Sequence, residues 1–258
     1  MELKHGVLYV LPVVTSCKVV IIFNLVEHSR AAFASRLTAA RAPALLTWLI
    51  DLIYPRRCAF CAAPDSRGVC RRCEAALPKR KHPGRVQGVG VDCAVPCLYD
   101  GAVRRAMLRF KFRGRRSAAA GFGMLIARCA AEELSGRFDC VTWVPVSERR
   151  RRTRGYDQAY LIARETARLW DAKPVPLLTK CRDNPPQSGL DAAQRRANVL
   201  GAFAPVRAER IRGCRVLLID DVVTTGATLN ECVRVLRLAG AESVVCACLA
   251  SASTESHG

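Results

Sequence analysis

Acidic residues are scarce in this 258-residue chain, where 22 Asp and Glu stand against 41 Lys and Arg, a formal net charge of +19. Such an excess attracts polyanions through salt-dependent contacts and by itself names neither a sequence preference nor a partner. Aromatic residues supply only 6% of the chain, so an extensive base-stacking platform is not evident. No Gly-x4-Gly-Lys-Ser/Thr string and no Gly-x-Gly-x-x-Gly string occurs, which removes the Walker loop and the dinucleotide fingerprint. The acids that do cluster are adjacent, unlike the Asp-x-Asp pattern of phosphatases with an aspartyl nucleophile. Long apolar runs are lacking too. Gly6 to Val26 is interrupted by Thr15, Ser16, Lys18 and Asn24, and a central lysine costs about 2.5–3.5 kcal/mol on insertion, so stable membrane insertion is not expected. Val14-Thr15-Ser16-Cys17 resembles a lipoprotein cleavage site, but scattered single cysteines point to a reducing compartment, and a cytoplasmic location is expected.

What is present is concentrated in Val216 to Leu229, VLLIDDVVTTGATL. A short apolar run ends in Asp220 and Asp221. A Thr/Gly-rich turn follows and leads into Leu229, Val233 and Leu236 at helical spacing, which predicts strand, loop and amphipathic helix. The first amides of a helix lack internal partners and sit at the positive end of its dipole, so the loop can hold a phosphate. Gly226 permits close approach, the backbone of Ala227 lies within the turn, and the hydroxyls of Thr224, Thr225 and Thr228 add donors. Two carboxylates would repel a bare phosphate. They suit a vicinal diol, or Mg²⁺ held between sugar hydroxyls and phosphates. The implied ligand is a ribose carrying phosphate. The competing reading is a strand–turn–helix with incidental acids.

A second cluster, Cys58-x2-Cys61-x8-Cys70-x2-Cys73, offers four thiolates for tetrahedral Zn²⁺ and leaves no position for a catalytic water, so the site reads as structural. Two disulfides or an iron–sulfur cluster are the rivals. Cys129, Cys140, Cys214, Cys232, Cys246 and Cys248 fall among apolar neighbours and read as small hydrophobes, as do Cys93 and Cys97.

Asp139 to Val146, Val175 to Leu178, Arg215 to Asp221 and Ser243 to Ala250 read as strands, with helices over Tyr156 to Trp170 and about Thr225 to Ala239. The alternation predicts an α/β domain with a mainly parallel sheet covered on both faces, its site at the strands' C-terminal ends. Gly101 to Leu134 reads as helical and basic. Arg149 to Arg152 and Arg154 follow the first of these strands directly. Guanidinium groups there suit a diphosphate, although an arginine run alone is more often a solvated face.

These features in this order resemble the ComF family, bacterial proteins related to type I phosphoribosyltransferases and linked to DNA uptake in natural competence. The resemblance runs from about Leu45 to Ala250. It is carried by IYPRRC at Ile53 to Cys58, Tyr99 with Gly101, KFRG at Lys111 to Gly114, RGYDQA at Arg154 to Ala159, the Asp-Asp loop, and Gln187, Arg195 and Asn198. One position departs. Asp157 stands where the family usually has Asn, which argues against direct contact between this residue and a diphosphate.

The resemblance implies a type I phosphoribosyltransferase-like parallel sheet flanked by helices, with a small N-terminal zinc-binding module. The expected organisation is an extension over 1–44, the zinc module over 45–80, a basic helical connecting region over 81–135, the phosphoribosyltransferase-like domain over 136–252 and a tail over 253–258. The extension precedes the resemblance and reads as the product of a misassigned start. The implied ligand is phosphoribosyl diphosphate (PRPP) with Mg²⁺, and the implied activity, a pentosyl transfer, is one the family name alone does not guarantee. Asp220 and Asp221 would hold the ribose hydroxyls, Thr224 to Thr228 the 5′-phosphate, and Arg154, Gln187 and Arg195 the remaining substrate. The alternative is a non-catalytic accessory protein that binds single-stranded DNA, works with the competence helicase and uptake machinery, and uses the PRPP pocket for regulation.

Overall fold

The structure is a computed structural model that describes residues 57–65, 68–182 and 197–252. Its centre is a parallel sheet. The apolar stretch Val216 to Ile219 forms the middle of β6 (Arg215–Val223), with β7 (Ser243–Ser251) on one side and β3 (Cys140–Trp143) on the other. Near-continuous Val, Leu, Ile and Cys in β6 and β7 is what a strand covered on both faces requires. Beyond β7 the edge is built from two short pieces, β1 (Cys93–Ala94) and β2 (Cys97–Leu98), which pair with Cys246–Ala247 and Ala250–Ser251 respectively. Pro96 lies between them, and its missing N–H fits a break in the ladder. The segment 81–135, expected as a helical connection, therefore also supplies sheet strands.

Two clusters of buried residues lie on the two faces of this sheet. One gathers Leu217 and Ile219 with α3 (Ala118–Glu133) and α5 (Gln158–Arg168). These helices touch closely because position 123 is glycine, where an added Cβ would stand 2.8 Å from Glu165 Cβ. The other cluster gathers Val216 and Leu218 with Leu229, Cys232 and Leu236 of α6 (Ala227–Leu238). Strand alternation sends neighbouring residues of β6 to opposite faces, so each cluster takes every second side chain.

The expected strand Val175 to Leu178 is displaced. Val175 meets the sheet only through its N–H to the Val141 carbonyl and its own carbonyl to Thr142 Oγ1, both at 2.8 Å. The strand itself is β4 (Leu178–Lys180), which pairs antiparallel with β5 (Phe203–Pro205) in a separate ribbon. No helix among the described residues is long and apolar enough to cross a membrane.

The cysteine module, whose last cysteine sits in the short helix α1 (Arg71–Ala75), is continuous with the first core cluster. Cys58, Ala59, Phe60 and Val69 are all buried in it. Phe60 meets Phe122 of α3 edge-on at 5.7 Å, and Phe122 meets Phe110 of α2 (Gly101–Phe112) at 5.3 Å. Close approach depends on Gly121, where a Cβ would lie 2.4 Å from the Gly68 carbonyl oxygen. A guanidinium–carbonyl hydrogen bond from Arg109 to Phe60 adds a polar tie.

Candidate functional site

The acidic pair lies near the end of the central strand, three residues before the turn that opens α6. Gly226 caps that helix at φ +74°, and its α-carbon backs onto the Gly88 carbonyl so closely that a Cβ would stand 2.5 Å from the oxygen. Asn230, one turn into α6, donates through Nδ2 to the Gly88 carbonyl at 2.7 Å and accepts from the Gly90 N–H at 2.9 Å. The loop 86–90 is thereby fastened against the turn. Thr224 is exposed and Thr225 and Thr228 partly so, while Gly226 and Ala227 are buried. Hydroxyls thus remain accessible beside backbone amides at a helix start, an arrangement able to bind an anion.

The two carboxylates have different surroundings. Asp221 is approached by Lys111 from the last turn of α2, whose Nζ lies 2.9 Å from Oδ1 and 2.8 Å from Oδ2. Burial works against the Lys111 charge, but the Asp221 carboxylate outweighs it and holds the ammonium above its ordinary value. Asp220 retains some exposed surface at the strand end. Its carboxyl is nonetheless pushed up to about 8, first by burial and then by the charge of Asp221, with the Asp221 N–H donating to Oδ1 at 2.8 Å in the opposite sense.

Within the arginine run Arg150 and Arg154 are partly buried. Their neighbours Arg151 and Arg152 lie exposed in the short helix α4 (Glu148–Arg154) and pair with Glu148. Arg154 is partly buried, donates to Gln158 Oε1 at 2.9 Å and lies 5.2 Å above the Phe112 ring. Burial lowers its pKa, and the nearby Asp221 charge acts in the other direction. Asp157 is a structural hub. It caps α5 by accepting from the Tyr160 N–H at 3.0 Å, and its other oxygen accepts from Trp143 Nε1 at 3.2 Å and the Val146 N–H at 3.3 Å. Three donors converge on this carboxylate, so an acceptor-only side chain fits the place.

Asp220, Asp221, Thr224 to Thr228 and Arg154 thus gather at the C-terminal end of the sheet. Gln187 and Arg195 lie outside the described residues. Reasoning from sequence missed Lys111 as a partner of Asp221, although KFRG was visible, and missed Gly88 and Asn230. The Gly-rich VQGVG at 86–90 was the available signal for the latter pair.

The four sulfurs of Cys58, Cys61, Cys70 and Cys73 lie within 4.8 Å of one another, with Cys61 and Cys70 at 3.7 Å. Zn–S bonds of about 2.3 Å in a tetrahedron require sulfur separations of about 3.8 Å, so the donor set fits Zn²⁺. Burial acts against the Cys58 thiolate, but N–H groups of Cys70, Cys61 and Phe60 outweigh it and lower that thiol to about 6, while burial and the neighbouring thiols push Cys73 up. A thiolate is the form a metal takes.

A family model described as "Phosphoribosyl transferase domain" matches residues 153–256, and one described as "Double zinc ribbon domain" matches 49–87. "Competence protein F" of Haemophilus influenzae is 38% identical over 103 residues, 39% of this chain and 45% of that protein. The chain is thus similar, over parts of its length, to proteins named for competence and for DNA utilization. "DNA utilization protein YhgH" of Salmonella typhimurium is 27% identical over 230 residues, 77% of this chain and 98% of that protein. "Competence protein ComFC" of Bacillus subtilis is 26% identical over 180 residues, 69% and 70% of the two chains. The match to the Haemophilus protein spans about half of that relative's length. The double zinc ribbon match and the cluster of four cysteines together make the zinc site structural.

Proposed function

We propose that the chain binds PRPP with Mg²⁺ at the end of β6 and transfers its phosphoribosyl group. The observation that supports this best is the acidic pair three residues ahead of a Thr/Gly turn opening α6, inside a match to the phosphoribosyl transferase model. Thr224, Thr225 and Thr228, with the first amides of α6, hold the 5′-phosphate. Asp220 and Asp221 accept the ribose hydroxyls and steady positive charge developing at C1′. Arg154 reaches the diphosphate side. Gln187 and Arg195 belong to the connection between β4 and β5 and are proposed to meet the ligand from there. Carboxylate and hydroxyl oxygens are the donors a hard cation takes, and bound Mg²⁺ would neutralise the departing diphosphate.

The relatives' names, competence and DNA utilization, extend the proposal to a role in DNA uptake, and the scattered single cysteines favour the cytoplasm. The +19 charge favours a second reading, an accessory protein that binds single-stranded DNA and uses the pocket for regulation. Calorimetric titration of PRPP with Mg²⁺ into the zinc-loaded protein and into Asp220→Asn/Asp221→Asn tests the first reading. Micromolar affinity, about −8 kcal/mol, lost in the double variant is expected. Absence of binding to the folded wild type would overturn it. In the second reading DNA binding survives the double substitution and falls steeply with salt.

A further inference from the structure

We infer that Lys111 is a tethered counter-ion that closes the acidic pair to a bare divalent cation and yields it only to a cation arriving with a diphosphate. The inference rests on the PRPP reading for the identity of the diphosphate, but its core lies in the contact between Lys111 and Asp221. One ammonium occupies both oxygens of Asp221, at 2.9 and 2.8 Å. The side chains of Lys111 and Asp221 are only 20% and 14% exposed, so the pair is shielded from water and stronger than a surface ion pair. A hard cation needs those same oxygens. A bare cation must therefore expel a buried ammonium that would be left without a partner. A metal–diphosphate complex carries in the anion to which the displaced ammonium can turn.

The surroundings suit such a movement. Arg109 and Phe110, the two residues before Lys111, are anchored by the Phe60 carbonyl and by the aromatic cluster. Beyond it the surface opens, since Phe112 is 67% exposed with the Arg154 guanidinium over its ring, and a Cβ added at Gly114, at φ +64°, would meet nothing within 4 Å. Lys111 can swing while its helix stays seated. The pair also explains how the Asp221 charge is tolerated in a half-buried place beside a second acid, because an unpaired buried charge is costly.

The test measures Mn²⁺ binding, by calorimetry and by electron paramagnetic resonance, in zinc-loaded wild type and Lys111→Met, without PRPP and with it. Mn²⁺ shares the preference of Mg²⁺ for oxygen ligands. In wild type, Mn²⁺ alone should bind at least tenfold more weakly than with PRPP present. In Lys111→Met, Mn²⁺ alone should bind at least tenfold tighter than in wild type and should raise the melting temperature more, while PRPP binding weakens. A structural role for Lys111 would not tighten metal binding. Lys111→Gln replaces the first variant if that one does not fold. Micromolar Mn²⁺ binding to wild type without PRPP, or unchanged Mn²⁺ affinity in a folded variant, overturns the inference. The Mn²⁺-only arm involves no PRPP, so failure of the ligand assignment is read separately.

Discussion

Asp157 illustrates how one side chain can settle three donors, and the cost of removing it follows directly. Asp157→Ala strips the cap of α5 and leaves Trp143 Nε1 and the Val146 N–H without their acceptor. A lost cap and stranded part-buried donors together predict about 2 kcal/mol of destabilisation, read from urea unfolding. Glu231 predicts a pH effect. It is buried, accepts from Arg234 and from the Gly201 N–H at 2.8 Å, and its pKa is lowered chiefly by the Arg234 hydrogen bond. A depressed carboxyl contributes stability above its unfolded value, near about 4.3, and loses it as pH falls through the folded value. Glu231→Gln should therefore flatten the acid limb of a stability–pH curve. Unchanged acid sensitivity would contradict this.

At the scale of elements, the turn into α6 and the strands around it were legible because their signals are local. An apolar run, adjacent acids, a Thr/Gly turn and a 3.6-residue period all lie within Val216 to Leu236. The expected boundaries lie close to those observed, with β6 continuing through Asp220 and Asp221 to Val223. β1 and β2 were illegible, since two-residue strands divided by Pro96 carry no period. β4 was misplaced because Val175 meets the sheet without running along it, bonding to the adjacent Val141 and Thr142. Lys111 was missed for another reason, namely that its partner lies 110 residues away and no helix pattern reveals such a meeting. The same locality makes Gly226 a sharp probe. Gly226→Ala places a Cβ in the left-handed region and 2.5 Å from the Gly88 carbonyl. We expect about 2 kcal/mol or more of destabilisation and weakened PRPP binding, measured by chemical unfolding and calorimetry.

For the molecule as a whole, the zinc module behaves as part of the core. Phe60, Ala59 and Val69 share a buried cluster with α2, α3 and α5. Metal binding is folding free energy for such a module, so chelation should lower the melting temperature of the entire domain by more than about 5 °C in one coupled transition. Two separate transitions, with the sheet unaffected, would show instead that the module is an appendage.

Arg109, Phe110 and Lys111 face three different places, the zinc module, the core and the acidic pair. An α-helix turns about 100° for each residue, so adding or deleting one residue within α2 ahead of Arg109 would swing all three side chains off their targets together. The turn at 113–117 has open space at Gly114, ahead of Arg116, which donates to the Gly155 carbonyl and lies over the Tyr156 ring. Changes in chain length should accumulate there and be purged from α2, which acts as a ruler whose length is set in whole turns.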